Sequence, residues 1–443
     1  GGLPRAALRL ARRAGGGFGG QLFVDPYAAG EARLALEPVR FVAGADGRTH
    51  FATHLRMDGP LADGGLRGLS LPLEGDVAPG GAVRVNPRCV PLSFDSLRYA
   101  GFALGHTRQT LCPAEGGALL AYGPGGLRGG AEVAKLDLQG MSGDSLMRLT
   151  ADRARMALSN VAFALDGAQW LIGPQDAPVR LAAAHLDGRF GTDGISGTMA
   201  GGEGRIGTVP LLIEKAQGPW RFDKGVLSLN AGLTVKDAQT PGRFNPLDAR
   251  DFALSMRDGR IAASASLTAP RNGATVATVT IGHDLGGGRG QADLKVPGLV
   301  FGDGLQPEDV TGLALGVVAN VKATVTGEGQ VRWNGDKVTS DGVFRTDNAS
   351  LAAAFGPVDG LSGELRFTDL IGLVSAPGQE ARIASTNPGV EVRDGVVKYQ
   401  LLPGQKVRLE GGEWPFAGGR LLLLPTVMDF SADSERYMTF RVV

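Results

Sequence analysis

The chain has 443 residues, with 45 Lys plus Arg set against 45 Asp plus Glu. That balance lacks the basic excess a nucleic-acid surface needs, and aromatic residues at 6% leave little to stack on bases or sugars. Glycine is 70 of the 443 residues, about twice the usual share, with no G-X-Y period and with 43% hydrophobic residues in recurring short runs, so the chain is read as many strands joined by tight turns and not as collagen or a linker.

Leu3 to Ala14 has helical composition with Arg residues spaced along it. The chain starts at Gly1-Gly2-Leu3 and not at Met, so it reads as a fragment, leaving room before it for a signal or an anchor. No stretch of eighteen uncharged apolar residues follows. His50 and His54 are four apart on a strand-like segment with no glutamate between them, which favours a surface pair over a metal site. Cys89 and Cys112, each beside a proline segment, allow two buried thiols or one disulfide. The cluster Gly123-Pro-Gly-Gly-Leu-Arg-Gly-Gly130 has no helix after it and reads as a loop, not a dinucleotide fingerprint.

The motif G-x-S-G occurs at Gly140-Met-Ser-Gly143, Gly194-Ile-Ser-Gly197 and Gly360-Leu-Ser-Gly363. It is read as a recurring strand start, with chance in a glycine-rich chain as the alternative. Ser145 to Leu158 is ambiguous between helix and strand. Leu227, Leu229, Ala231, Leu233 and Val235 alternate with polar or small residues, which places the two sets on opposite faces of a strand. Phe252 to Met256 and Arg260 to Leu267 flank Arg257-Asp258-Gly259, a hairpin signal. Lys224-Gly225, Asn334-Gly335 and Asp394-Gly395 are read as similar turns. Pro307, followed by acidic Glu308 and Asp309, suits a first helical turn and predicts a short helix from Pro307 toward Val318.

From Val321 to Asn334 the alternation is complete. Val321, Ala323, Val325, Val331 and Trp333 share one face with two glycines, and Lys322, Thr324, Thr326, Glu328, Gln330 and Arg332 take the other. Leu361, Leu365 and Phe367 repeat the pattern, as do Val397, Tyr399 and Leu401, and finally Met438, Phe440 and Val442. With no Pro/Ser-rich linker or composition break, one continuous sheet fits better than two or three globules. About 25–30 strands at ~4.8 Å spacing would extend on the order of 100 Å, so the sheet is expected to twist and curl. The fold class is therefore all-β: a long, twisted antiparallel sheet with one or two short helices.

No chemistry-bearing constellation emerges. There is no Gly-Lys dipeptide for a P-loop and no G-x-S-x-G elbow, and Asp76, Asp95 and Asp258 sit at turns. No enzyme, cofactor or metal is indicated. An alternating face most often packs into a closed core.

Several blocks in order tip that balance. Leu305-Gln-Pro-Glu-Asp-Val-Thr-Gly-Leu313, Ala354-Phe-Gly-Pro-Val-Asp-Gly-Leu-Ser-Gly363, Asp369-Leu-Ile-Gly-Leu-Val-Ser-Ala-Pro-Gly-Gln379, Asn387-Pro-Gly-Val390, Tyr399-Gln-Leu-Leu-Pro-Gly404 and Trp414-Pro-Phe-Ala-Gly-Gly419 resemble the YdbH family, AsmA-like proteins of the Gram-negative envelope. Residues 1–304, which match more loosely, are then the continuation of an elongated β-groove lacking its N-terminal anchor, and 305–443 the C-terminal YdbH-like region. The resemblance implies a folded-over sheet whose hydrophobic groove carries phospholipid between the inner and outer membranes. It also implies a periplasmic location, an inner-membrane helix absent here, and a small outer-membrane lipoprotein as partner. An older label of dicarboxylate transport finds no help in the residues. In that compartment Cys89 and Cys112 are expected to pair. The groove lining is expected to include Leu227, Leu229, Leu233, Val321, Val325, Val331, Trp333, Leu361, Leu365, Phe367, Val397, Tyr399 and Leu401. The alternatives are an envelope scaffold or adhesin with a closed β core, and an enzyme on a β-solenoid.

Overall fold

The computed structural model describes residues 4–13, 17–61, 64–99, 101–114, 117–315, 317–353 and 355–431. Among them are 34 strands in one antiparallel sheet, a four-residue helix and the 3-10 turn Gly312–Ala314. The chain is all-β, as the alternation indicates. There are more strands than expected because short ones share a long partner. Thr49–Leu61 takes both Ala32–Leu36 and Val39–Ala43 along one edge. Gly64–Val77 takes Val83–Val85, Val90–Phe94 and Ser96–Tyr99. The strand expected at Met438 to Val442 lies outside the described residues.

Val318–Asn334 behaves as its sequence demands. Val321, Val331 and Trp333 are buried while Lys322, Thr324, Glu328 and Arg332 are exposed. It pairs with Lys337–Ala353 through Gly335-Asp336, where Gly335 has φ 61°. Lys224-Gly225 and Asp258-Gly259 are two-residue turns with positive φ at both positions, the geometry that matches the twist of a hairpin.

Four local expectations are corrected. Asp394-Gly395 is no turn: both residues lie inside the strand Val392–Leu402. G-x-S-G is no strand start in general. Its copies end one strand at Ser142, begin another at Gly194 and sit in the middle of Gly356–Asp369. The helical composition near the N-terminus forms the strand Ala6–Arg12, registered on Phe18–Val24 with Arg9 over the Phe23 ring. Cross-strand pairing there overrides helix propensity. The helix at Pro307 stops at Val310, because Thr311 is extended and its hydroxyl accepts the Leu313 amide to start the 3-10 turn Gly312–Ala314. The chain then enters the strand Val318–Asn334.

Residues in the left-handed region also occur inside strands, where they organise the sheet. Lys135 (φ 56°), Gly167 (φ 61°) and Gly201 (φ 60°) lie mid-strand in Gly130–Ser142, Ala162–Ile172 and Gly194–Ile206. Lys135 falls opposite Asp152, Gly167 has Asp152 and its own partner Ala184 as neighbours, and Gly201 abuts Ala184. The inward phase changes at this line on neighbouring strands: from Met147, Leu149 and Ala151 to Ala154, and from Phe163 and Leu165 to Ala168 and Ile172. A second line runs through Gly360 (φ 63°), Ala384 and Asp394 (φ 56°), with the same change from Val358 to Leu361, Leu365 and Phe367. A residue of this kind bends its strand. Because neighbours bend together, the apolar side stays on one face.

The glycine excess has a second use besides turns. Gly188, Gly290 and Gly395 lie in strands beneath the rings of Phe163 and Trp220, of Trp333, and of Trp414. A side chain at any of these positions would occupy the ring's place. The outward face explains the charge balance: Arg148 holds Asp137 with two bonds (3.0 and 2.7 Å) and Arg332 holds Asp341 (2.7 Å). Such exposed pairs add little stability, but they keep that face in water.

Chain contacts divide the molecule into two units. One is Gly1–Glu203 with Gln217–Leu229 and Met256–Gly259, and the other is Gly204–Ala216 with Asn230–Ser255 and Arg260–Val443.

Candidate functional site

The candidate site is the inward, apolar face of the strands. In the first unit it centres on Ala151, Leu165 and Ala168, with Leu136, Leu149, Phe163, Trp170 and Leu186 packed around them. These residues come from four successive strands, so they cover one another side by side along the sheet. Phe163 continues the apolar surface to Phe190 (5.8 Å) and Trp220 (6.2 Å). Large apolar side chains stay accessible on this face: Phe190 is 42% exposed and Leu181, paired with Trp170, is 40% exposed. Leu227 and Leu229 are half-buried.

In the second unit the same construction recurs. Val358, Ile383, Val392 and Trp414 form a buried cluster with Leu351, Leu361, Val397, Leu421 and Leu423 against it. Again the strands involved are successive neighbours. Phe367 is buried and meets Phe344 edge-on at 5.9 Å. Val325, Leu365, Tyr399 and Leu401 are half-buried on the inward side. Burial pushes the Tyr399 phenol above its usual pKa. Leu233 and Val321 are buried.

Val331 and Trp333 are placed differently. Val209, with Ile206 and Leu211 beside it, joins Val331, Trp333 and Ala292 in one buried cluster to which Ile371 also contributes. Val209 follows the strand Gly194–Ile206 and Ile371 follows Gly356–Asp369. Here the inward face is covered by segments from elsewhere in the unit.

Those segments are held by Arg243. Its guanidinium forks onto Asp237 (2.6 and 2.7 Å) and donates to the carbonyls of Ile371 (3.1 Å) and Pro210 (3.3 Å). The Asp237 side chain is 1% exposed and that of Arg243 is 14% exposed. Burial pushes the Asp237 carboxyl up, but the Arg243 fork and the amides of Arg243 and Gln239 outweigh it and hold the carboxyl below its ordinary value.

Cys89 and Cys112 are bonded to each other. The register of Val90–Phe94 on Thr107–Pro113 brings them face to face, with Cα atoms 4.0 Å apart. His50 and His54 lie on one strand, and the His54 ring bonds the Ser70 hydroxyl at 2.6 Å.

Sequence reasoning missed Phe163, Trp220, Phe344, Leu351, Ile383 and Trp414. Their strands change phase or carry glycine beneath a ring, so a strict period of two does not select them. The usable signal is an aromatic residue whose neighbouring strands carry glycine.

Among the described residues no helix is long and apolar enough to cross a membrane. No curated protein and no solved structure matches the chain. The YdbH-like family model, described as intermembrane phospholipid transport protein YdbH, matches residues 1–443, and the chain belongs to that family.

Proposed function

We propose that the chain carries phospholipid between the inner and outer membranes, acyl chains lying on the inward apolar face and headgroups facing water. The observation that supports this most is the way that face is built. The cluster around Leu165 in the first unit and that around Val358 in the second arise from neighbouring strands, as a lining does, and Phe190 and Leu181 remain accessible on the face. Each methylene moved from water onto such a lining gains about 0.8 kcal/mol, so no polar constellation is needed to hold the lipid.

On this reading residues 1–304 and 305–443 both contribute lining, with Leu227, Leu229, Val325, Leu361, Leu365, Val397, Tyr399 and Leu401 among the lipid contacts. The Cys89–Cys112 bond suits an oxidising compartment, which supports the periplasm. The membranes and a small outer-membrane lipoprotein are the partners proposed. The test is photocrosslinking with a photoreactive residue at Val325 or Leu365 in cells. Phospholipid adducts are expected there and not from the outward positions Lys322 and Arg366; adducts confined to the outward positions would sink the reading.

A further inference from the structure

Successive antiparallel strands turn alternately at two edges of the sheet. In the second unit the connections at 238–246, 269–274 and 302–315 share the first edge. Asn245 reaches the Glu308 carbonyl (2.8 Å), Arg271 reaches Asp309 (2.7 Å) and Asn272 reaches the Gly304 carbonyl (3.0 Å). The segment 207–210 joins them through the Ala238 amide on the Pro210 carbonyl (3.1 Å). The turns at 285–288, 335–336 and 370–373 belong to the second edge, where the Gly335 amide bonds the Gly288 carbonyl (3.1 Å).

The two edges meet. Thr208 donates to the Gly335 carbonyl (3.3 Å) across 127 residues, and Arg243 donates to the Ile371 carbonyl (3.1 Å) across 128. Beneath these bonds Val209 closes on Val331 and Trp333. A lipid lying on the inward face with its headgroup between the edges cannot pass this point while they are joined.

We propose that the segments 207–210 and 238–246 are a gate on the lipid path, held shut by Thr208 and Arg243 against the turns at Gly335 and Ile371. This rests on the lipid reading above. The bonding is graded as a gate requires. The strong contact, the Arg243–Asp237 fork, ties the loop to the end of the strand Val226–Asp237 and so stays on its own edge. That loop is also tied to its own edge by the Asn245 amide on Val310 (2.7 Å). The opposing turn is fixed separately, the Ser340 hydroxyl bonding both Asp369 (2.7 Å) and the Ile371 amide (2.9 Å). The bonds between the edges run only to neutral carbonyls, so the edges part without exposing an unpaired charge.

The test joins Thr208→Cys to Asp336→Cys with a short cleavable bis-maleimide in the full chain. Two readouts are taken: lipid captured by a photoreactive residue at Val325, and transfer of a fluorescent phospholipid between phosphatidylethanolamine/phosphatidylglycerol vesicles. Locking is expected to slow transfer at least tenfold, with recovery on cleavage, while capture at Val325 persists. Arg243→Lys keeps a positive charge beside Asp237 but loses the bonds to the carbonyls of Ile371 and Pro210, and is expected to speed transfer a few-fold. Unchanged transfer in the locked chain, with capture intact, overturns the gate and leaves the lipid reading standing. Absence of capture in locked and unlocked chains alike overturns the lipid reading and the gate with it.

Discussion

The indole Nε1 of Trp333 donates to Nδ1 of His283 at 3.0 Å, reaching across the strand that separates them because the residue of that strand lying between the two is Gly290. The bond fixes the tautomer: Nδ1 accepts, so the buried ring is neutral with its proton on Nε2. Burial lowers the His283 pKa, against smaller opposing effects from Asp284 and the Arg289 backbone. The unfolded chain therefore takes up a proton that the folded chain resists. Stability is full above the unfolded value of about 6.5 and falls as pH drops below it, by up to ~1.4 kcal/mol per pH unit. Urea midpoints at pH 7.5 and 5.5 are expected to differ by more in the parent than in His283→Gln, which still offers an acceptor to Trp333. Equal losses in both proteins would remove His283 as the source.

Gly290→Ala tests the space under the indole. A Cβ there would lie 2.6 Å from the Trp333 ring and also against the Gly282 carbonyl. Neither can yield without shifting the sheet, so a loss of about 1–3 kcal/mol is expected. Restoration by a second change, Trp333→Leu, in thermal unfolding would identify the ring as the obstacle.

The mid-strand lines predict opposite signs at two positions. Lys135 holds φ 56° with a side chain, at a cost of about 1–2 kcal/mol for an L-residue, so Lys135→Gly is expected to stabilise by about 0.5–1 kcal/mol after glycine's own entropy cost. Gly360→Ala is expected to destabilise by about 2 kcal/mol, because φ is 63° and the new Cβ would lie 2.6 Å from that of Ala384. Chemical denaturation of the two variants decides whether these residues set the bend.

Removing the Cys89–Cys112 bond frees a loop with a sequence separation of 23. Paired serine substitution is expected to lower stability by about 2–4 kcal/mol. Reductant should lower the unfolding midpoint of the parent and leave that of the double variant unmoved.

Where one face is apolar along an unbroken strand, the sequence by itself was sufficient. The strand from Val321 to Asn334 and its burial pattern are legible in its letters, because a period of two has one structural meaning and positive φ at Asp258-Gly259 has few others; its first residues from Val318 are not, since Asn320 (φ 53°) interrupts the period. Ser145–Ala157 was not legible for a stated reason. Its inward set, Met147, Leu149, Ala151 and Ala154, changes phase at Asp152, and that change imitates helical spacing. Gly188, Gly290 and Gly395 look like turn glycines until the ring above each is placed. Asp394-Gly395 has hairpin letters but lies within a strand, where Gly395 pairs with Ile383 of the preceding strand. The placement of Val331 and Trp333 under Val209, and the joining of Thr208 to Gly335 and Arg243 to Ile371, belong to tertiary structure alone. Nothing local marks contacts between residues more than a hundred positions apart, because they exist only once the intervening strands have bent and paired.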